Sequence, residues 1–217
     1  FIKDGLADFV RDHPEVLDIY KNLKGAKGPL TSEEIEATFD EQAFAQALSD
    51  HLPTIAEGNP TASQYHKFAL TACTFLFYPE LIYPIKEHEI HVGRKRIDIK
   101  FTNAAEQGFF HRMAVSPQTR ANSVFMECKN YRKQLDNPEL DQLSGRFGHQ
   151  RGHLGFLLCR RMDQRQRIIE RCRDTANDGR RYMLVLEDAD LLSLLGYVTA
   201  GQREHIDRFL QRRFDEI

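Results

Sequence analysis

The stretch Val124-Phe125-Met126-Glu127-Cys128-Lys129 decides how this chain folds and what it does. Its apolar character predicts a strand, and strand side chains alternate between the two faces of a sheet. Glu127 and Lys129 therefore share one face. The alternate residues point the other way, into a core: Val124, Met126 and Cys128. The pattern places a carboxylate and an ammonium group side by side at the rim of an apolar strand.

A second strand-like run, Arg96-Ile97-Asp98-Ile99-Lys100-Phe101, precedes the first. If the two strands pair, Asp98 and Glu127 converge beside Lys129. Two carboxylates suit a hard divalent cation such as Mg²⁺, and the backbone carbonyl of Cys128 supplies a further oxygen. Lys129 would orient or activate a water molecule beside the cation. These residue types match what hydrolysis of a phosphodiester requires.

The composition is that of one large domain, or of a domain with an appended piece. The chain has 217 residues, of which 41% are apolar and 29% charged, enough for a real core in a soluble protein. No apolar run reaches membrane-spanning length, and no secretory signal is visible. The four cysteines show no CxxC spacing, which predicts reduced core residues in a cytoplasmic protein. The chain starts at Phe1, so we expect a fragment of a longer or processed protein.

Charge is unevenly distributed along the chain. Residues 1–60 hold 5 Lys/Arg and 12 Asp/Glu, whereas residues 146–181 hold 10 Arg and 4 Asp/Glu. The arginine-rich part, Arg160 to Arg173 above all, is predicted to contact nucleic-acid phosphates, although a solvated helix face is the alternative. The residues expected to bind nucleic acid are Arg94, Lys95, Arg132, Lys133, Arg146 and Arg165.

The order of predicted elements indicates an α/β fold, a mixed sheet flanked by helices. Residues 1–60 form a helical N-terminal extension, expected to contact a partner protein, another domain or a second copy of the chain. The domain proper covers residues 61–217. Helices are predicted at 63–78, 163–177 and 188–195, another from residue 137, and a last one near the C-terminus. Strands are predicted at 81–92, 95–101, 123–130, 155–159 and 181–186, with a long irregular stretch at 103–122.

The order of an aspartate, about thirty residues, and then Glu-x-Lys on an apolar strand resembles the PD-(D/E)xK nuclease superfamily, which has the restriction-endonuclease-like fold. The helix that carries Leu140-Asp141-Gln142-Leu143 resembles the one that bears an extra glutamine in several of its branches. The likeness covers residues 61 to about 186. It implies a Mg²⁺-dependent DNA endonuclease, with Mn²⁺ as a substitute, and a role in prokaryotic defence such as restriction. The catalytic residues it implies are Asp98, Glu127, Lys129 and Gln142.

Two departures from the family pattern leave alternatives open. Ile97 stands where the family's proline would precede the aspartate, and residues 63–78 contain no acidic residue. Glu80 is therefore the first candidate for a third acidic metal ligand, and Glu89 is the second. A non-catalytic binding or scaffolding domain that keeps the fold, and cleavage of RNA instead of DNA, are the rival functions. An ordinary ion pair between Asp98 and Lys129 is the structural alternative.

Overall fold

The computed structural model describes residues 40–90, 95–130, 137–145, 147–148, 152–179 and 181–217. Five strands form one sheet, in which the strands lie in chain order. They are β1 (Leu81–Ile90), β2 (Lys95–Asn103), β3 (Ser123–Lys129), β4 (Leu154–Cys159) and β5 (Tyr182–Glu187). The first three strands pair antiparallel, and β3, β4 and β5 pair parallel. The prediction of a mixed α/β sheet is confirmed.

Helices cover both faces of the sheet. They are α1 (Glu41–His51), α2 (Ala62–Phe77), α3 (Gly108–Val115), α4 (Asn137–Ser144), α5 (Arg165–Gly179), α6 (Asp188–Thr199) and α7 (His205–Asp215). Within the described ranges, no helix is long and apolar enough to cross a membrane. Residues 1–39 of the expected helical N-terminal extension lie outside the described residues.

The side chains of β3 alternate between two apolar cores, whereas the sequence pattern predicted a core on one face only. Met126 and Cys128 belong to the larger core, which also contains side chains of α1, α2, α3, α6 and α7. Phe125 belongs to the smaller core, with side chains of α4 and α5. Glu127 and Lys129 lie on the same face of β3 as Phe125, because side chains two apart share a face. They therefore reach the end of the sheet beside α4.

Helix α1 is packed into the larger core, where Phe44 and Leu48 of the helix and Leu52 directly after it are almost fully buried. It packs against α6, and the Phe44 ring contacts that of Phe75 on α2. Asp40 begins the helix by accepting a hydrogen bond from the backbone N–H of Ala43. Residues from 41 onward thus pack as part of the sheet domain, although the sequence suggests a boundary near residue 60.

The stretch 103–122, predicted to be irregular, contains the helix α3. Phe109, Phe110 and Met113 on this helix are buried. Its first turn is capped from outside, because the Asp207 carboxylate of α7 accepts a hydrogen bond from the backbone N–H of Phe109. The prediction was wrong here because the residue that caps the helix lies 98 positions later in the sequence.

A close approach of backbone to side chains positions α4. A Cβ atom at Gly155 of β4 would lie 2.9 Å from the Phe147 ring and 3.0 Å from Leu143. Glycine at this position lets α4 and the residues after it lie directly on the sheet. That packing brings Gln142, on the same helix, to the end of β3.

Candidate active site

Three side chains form a closed polar ring at the end of β3. Lys129 Nζ lies 3.2 Å from Glu127 Oε1 and donates to Gln142 Oε1 at 2.9 Å. The Gln142 amide in turn donates to Glu127 Oε1. The Glu127 side chain is 1% exposed and that of Lys129 14%. A carboxylate buried this deeply requires a compensating charge, which Lys129 supplies, and Gln142 fixes the position of both.

Asp98 lies where the ladder between β2 and β3 ends. The last pair toward this end joins Ile99 to Met126. One residue further, Asp98 Oδ2 accepts a hydrogen bond of 2.8 Å from the backbone N–H of Cys128. The carboxylate thus takes the place of a strand carbonyl, and the register brings Asp98 alongside Glu127. The structure therefore gathers Asp98, Glu127, Lys129 and Gln142 at one end of β3.

His66 joins this cluster from α2. Its Nε2 lies 3.2 Å from the carbonyl oxygen of Cys128 and 3.7 Å from Asp98 Oδ2. The side chains of His66 and Asp98 are 25% and 19% exposed, so both reach solvent at the rim of the sheet. Sequence reasoning missed His66. The signal was present, because α2 contains no acidic residue and His66 is an imidazole in the first half of an apolar helix.

The donor atoms of this cluster fit a divalent cation. A nitrogen of His66, a carboxylate oxygen of Asp98 and the Cys128 Sγ lie within 4.8 Å of one another, and the Cys128 carbonyl oxygen lies 3.2 Å from His66 Nε2. Burial raises the pKa of the Cys128 thiol well above its ordinary value, and the Asp98 carboxylate raises it further. The thiol therefore stays protonated and is a poor ligand, which leaves the Cys128 carbonyl as the donor. An imidazole nitrogen, a carboxylate and a carbonyl suit Mn²⁺ and Mg²⁺, and the imidazole favours the softer Mn²⁺.

Neither acidic candidate for a third ligand is shown to reach the cluster. Glu80 precedes β1, whose first residue pairs with Asn103, five residues along β2 from Asp98. Glu80 lies opposite Ala104, one residue further still, so at about 3.4 Å per residue Glu80 and Asp98 lie roughly 20 Å apart along the hairpin. Glu89 pairs with Arg96, two residues from Asp98 toward the tip of the hairpin, and its side chain lies outside the described residues. His66 occupies the place on the first helix of the domain where an acidic residue was expected.

Several arginines expected to bind nucleic acid have partners within the protein. Arg165 pairs with Glu216 at 2.6 Å and lies 3.9 Å from Asp190. Arg160 pairs with Asp188 at 2.9 Å, and its side chain is 7% exposed. Arg173 donates to the backbone oxygen of Glu216. These internal contacts engage the three arginines, and the phosphate contacts expected from them stay a prediction, because a count of charges along the sequence does not reveal such partners.

The other expected nucleic-acid contacts fall where the structure gives no description. Arg94, Arg132, Lys133 and Arg146 lie outside the described residues. Lys95 is the first residue of β2, but its side chain is not among those described. The four cysteines are buried and unpaired, as expected for reduced core residues.

The functional evidence for this chain rests on its own geometry. Searches against protein-family models, curated proteins and solved structures returned no match to this chain.

Proposed function

We propose that this protein is a metal-dependent nuclease that hydrolyses phosphodiester bonds in DNA, as an endonuclease of the PD-(D/E)xK superfamily. One observation carries the proposal. Asp98, the Glu127–Lys129 pair and Gln142 come from three separate segments and meet at the end of β3. The order of elements that brings them together, a helix, three antiparallel strands, a helix and a parallel strand, supports the same superfamily.

The residues divide the work by their chemistry. His66, Asp98 and the Cys128 carbonyl would hold the cation, with Glu127 on the adjacent face of β3. When bound, a divalent cation offsets charge on the phosphoryl oxygens and lowers the pKa of a coordinated water. Lys129 presents one remaining N–H donor toward a phosphate or a water molecule, and its positive charge offsets charge that develops in the transition state.

The contacts around Lys129 explain how that ammonium group is presented. The Lys129 ammonium group donates to the Glu127 carboxylate, and its contact with the Gln142 carbonyl restricts its rotamer. With two donors engaged, the ammonium group keeps a third for the substrate or water. Glu127 and Gln142 thus pre-organise the lysine, which lowers the cost of orienting it during the reaction.

The test is digestion of supercoiled and linear plasmid with Mn²⁺, with Mg²⁺ and with a chelator. We expect cleavage of both forms in the presence of metal, because an endonuclease needs no free end. Glu127→Gln keeps the shape of the side chain but removes its charge, and Asp98→Asn does the same on β2. Each should reduce the rate by about 10² to 10⁴-fold.

Lys67→Ala is the matched control for a Lys129→Ala variant, because Lys67 is an exposed lysine next to His66 on α2. We expect Lys67→Ala to cleave like the wild type and Lys129→Ala to be inactive. Full activity in pure Glu127→Gln protein would refute the mechanism. Saturable metal binding and DNA binding without any cleavage would instead favour the non-catalytic binding domain. Cleavage of RNA but not DNA would reassign the substrate.

A further inference from the structure

Polar residues follow each of the three parallel strands and are linked to one another. Asn130 follows β3, Arg160 follows β4 and Asp188 follows β5. Asn130 and Arg160 are 3% and 9% exposed. Arg160 pairs with Asp188 at 2.9 Å and donates to Asn130 Oδ1 at 3.3 Å. A cationic side chain thus joins the ends of the strands in the interior of the protein.

Tyr65 completes this network from the helix that carries His66. Its hydroxyl donates to Asp188 Oδ1 at 3.1 Å, and its ring lies under the Arg160 guanidinium, 5.0 Å from ring centroid to guanidinium carbon. Tyr65 is fully buried. Because Tyr65 directly precedes His66, the contacts of Tyr65 restrain the turn of α2 that presents the imidazole. We call Tyr65, Asn130, Arg160 and Asp188 the strand-end network.

Asn130 connects the same helix to the end of β3. Its Nδ2 lies 2.9 Å from the carbonyl oxygen of Gly58 and 3.0 Å from Thr61 Oγ1. Its backbone oxygen accepts a 2.7 Å hydrogen bond from the N–H of Gly58. Residues 58–61 lead directly into α2, and Asn130 directly follows Lys129. One side chain therefore fixes the helix of His66 against the strand of Cys128 and Lys129.

We propose that Asn130 and Tyr65 are positioning residues, which set the spacing of His66 from Cys128 and Lys129 and thereby the metal affinity and rate of the site. This inference rests on the proposed nuclease function. The site takes its donors from α2, β2 and β3, and productive geometry tolerates displacements of only about 0.5 Å. Loss of hydrogen-bond partners that orient metal ligands typically weakens metal binding by about 10 to 100-fold.

Two variants remove the network's contacts at little cost in volume. Asn130→Asp keeps the shape and the contact with Arg160, but places a carboxylate oxygen against the acceptors at Gly58 and Thr61. Tyr65→Phe removes one buried hydroxyl and keeps the ring. Arg203→Gln is the control, because Arg203 donates to the carbonyls of Leu76 and Tyr78 at the opposite end of α2. It destabilises the same helix away from the site.

The measurements are the Mn²⁺ dissociation constant by calorimetry, kcat and KM for DNA cleavage, and the thermal midpoint. For Asn130→Asp we expect a roughly tenfold weaker Mn²⁺ affinity and a lower kcat at unchanged KM, and for Tyr65→Phe a smaller change in the same direction. Arg203→Gln should lower the thermal midpoint and leave Mn²⁺ affinity and kcat unchanged.

The outcomes separate this inference from the proposed function. In one outcome, the wild type binds Mn²⁺ and cleaves DNA while folded Asn130→Asp and Tyr65→Phe proteins have the same Mn²⁺ affinity and kcat. That result overturns the role of the strand-end network and leaves the proposed function standing. An equal loss of metal affinity in Arg203→Gln also overturns it, because general destabilisation would then explain the effect. A wild type that neither binds Mn²⁺ nor cleaves DNA overturns both proposals. If Asn130→Asp fails to fold, Tyr65→Phe decides the question.

Discussion

Two clusters of charged side chains in this protein contain similar residue types but differ in how their charges are paired. The first is the candidate active site around Asp98, Glu127 and Lys129. The second, which we call the C-terminal clamp, consists of Arg165, Asp190, Arg213 and Glu216. In the clamp, Arg213 lies 2.5 Å from Asp190 and 2.9 Å from Glu216, and Arg165 lies 2.6 Å from Glu216.

The clamp is neutral, because it contains two carboxylates and two guanidinium groups that join α5, α6 and α7. Each charge has a partner of opposite sign within the protein. Among the described residues of the active site, Glu127 pairs with Lys129, whereas Asp98 lies beside His66 and accepts a hydrogen bond from the Cys128 N–H. The comparison indicates that a balanced buried cluster fastens helices together, whereas a carboxylate beside an imidazole and a backbone carbonyl suits a cation.

The largest expected effect separates stability from activity. Asp190→Asn removes a carboxylate that pairs with Arg213 and also accepts a hydrogen bond from the backbone N–H of Glu187 at the start of α6. We expect a loss of about 3 kcal/mol in the free energy of unfolding, because the buried Asp190 carboxylate pairs with Arg213 and lies 3.9 Å from Arg165, and the substitution weakens both contacts at once. Urea unfolding measures this loss, and plasmid cleavage per folded molecule should stay at the wild-type rate. Lost cleavage in fully folded Asp190→Asn protein would break the distinction between the two clusters.

The next effect tests whether Asp98 helps to bind a cation. A ligand that binds only the native state stabilises it by roughly 2 to 3 kcal/mol at a hundred times its dissociation constant. Mn²⁺ should therefore raise the thermal midpoint of the wild type and of Asp190→Asn, but not that of Asp98→Asn. His66→Gln should weaken the response to Mn²⁺ more than the response to Mg²⁺, because the imidazole favours the softer ion. Equal shifts in wild type and Asp98→Asn would assign the cation to another site.

The sequence alone predicted the parts of this structure that depend on local patterns. Alternation at residues 124–129 placed Glu127 and Lys129 on the face opposite Met126 and Cys128, and the spacing to Asp98 placed two carboxylates on neighbouring strands. Both predictions depended on side-chain periodicity and on strands adjacent in sequence, which the chain specifies within a few tens of residues. Gln142 was expected only from the resemblance of the helix after β3 to the one that bears a glutamine in the PD-(D/E)xK superfamily.

Contacts between distant segments escaped prediction. His66 and Cys128 are 62 residues apart, and Arg165 and Glu216 are 51 apart. Nothing in a local pattern indicates that an imidazole on α2 will reach a carbonyl of β3. Nor does it indicate that an arginine in a basic run will pair with the C-terminal residues. Partner choice follows from the packing of helices against the sheet, which is set by the whole core.

The packing of α4 provides a smaller test. Gly155→Ala adds a methyl group 2.9 Å from the Phe147 ring and 3.0 Å from Leu143, so α4 must shift outward. Overpacking of this kind costs about 1 to 3 kcal/mol. Because Gln142 is on this helix, cleavage should also slow, whereas Gly196→Ala is a matched control with no atom within 4 Å of the added carbon. Unfolding and cleavage assays on both variants measure the two effects. An unchanged cleavage rate in a destabilised Gly155→Ala protein would show that Gln142 is not needed for the reaction.

The smallest effect concerns Asp188, which lies between the active site and the clamp. Burial raises its pKa to about 6, although Arg160 and the Tyr65 hydroxyl oppose the rise. The folded state therefore holds this proton more tightly than the unfolded chain, whose ordinary value is 3.8. The stabilisation of the folded state by this proton is complete below pH 3.8 and is lost as the pH rises through about 6. After allowance for solvent screening, the change is about 1 to 2 kcal/mol.

Asp188→Asn removes this titration, so the difference in stability between wild type and variant reports the titration of Asp188 alone. The free energy of unfolding of the wild type, measured relative to that of the variant, should fall by about 1 to 2 kcal/mol between about pH 4 and about pH 7. Any constant offset reflects the lost pair with Arg160, so the pH slope alone carries the result. Parallel curves for the two proteins would mean that Asp188 ionises in the folded protein as it does in the unfolded chain. Its carboxylate would then be as well compensated as those of the clamp, and the strand-end network would resemble the clamp more than the active site.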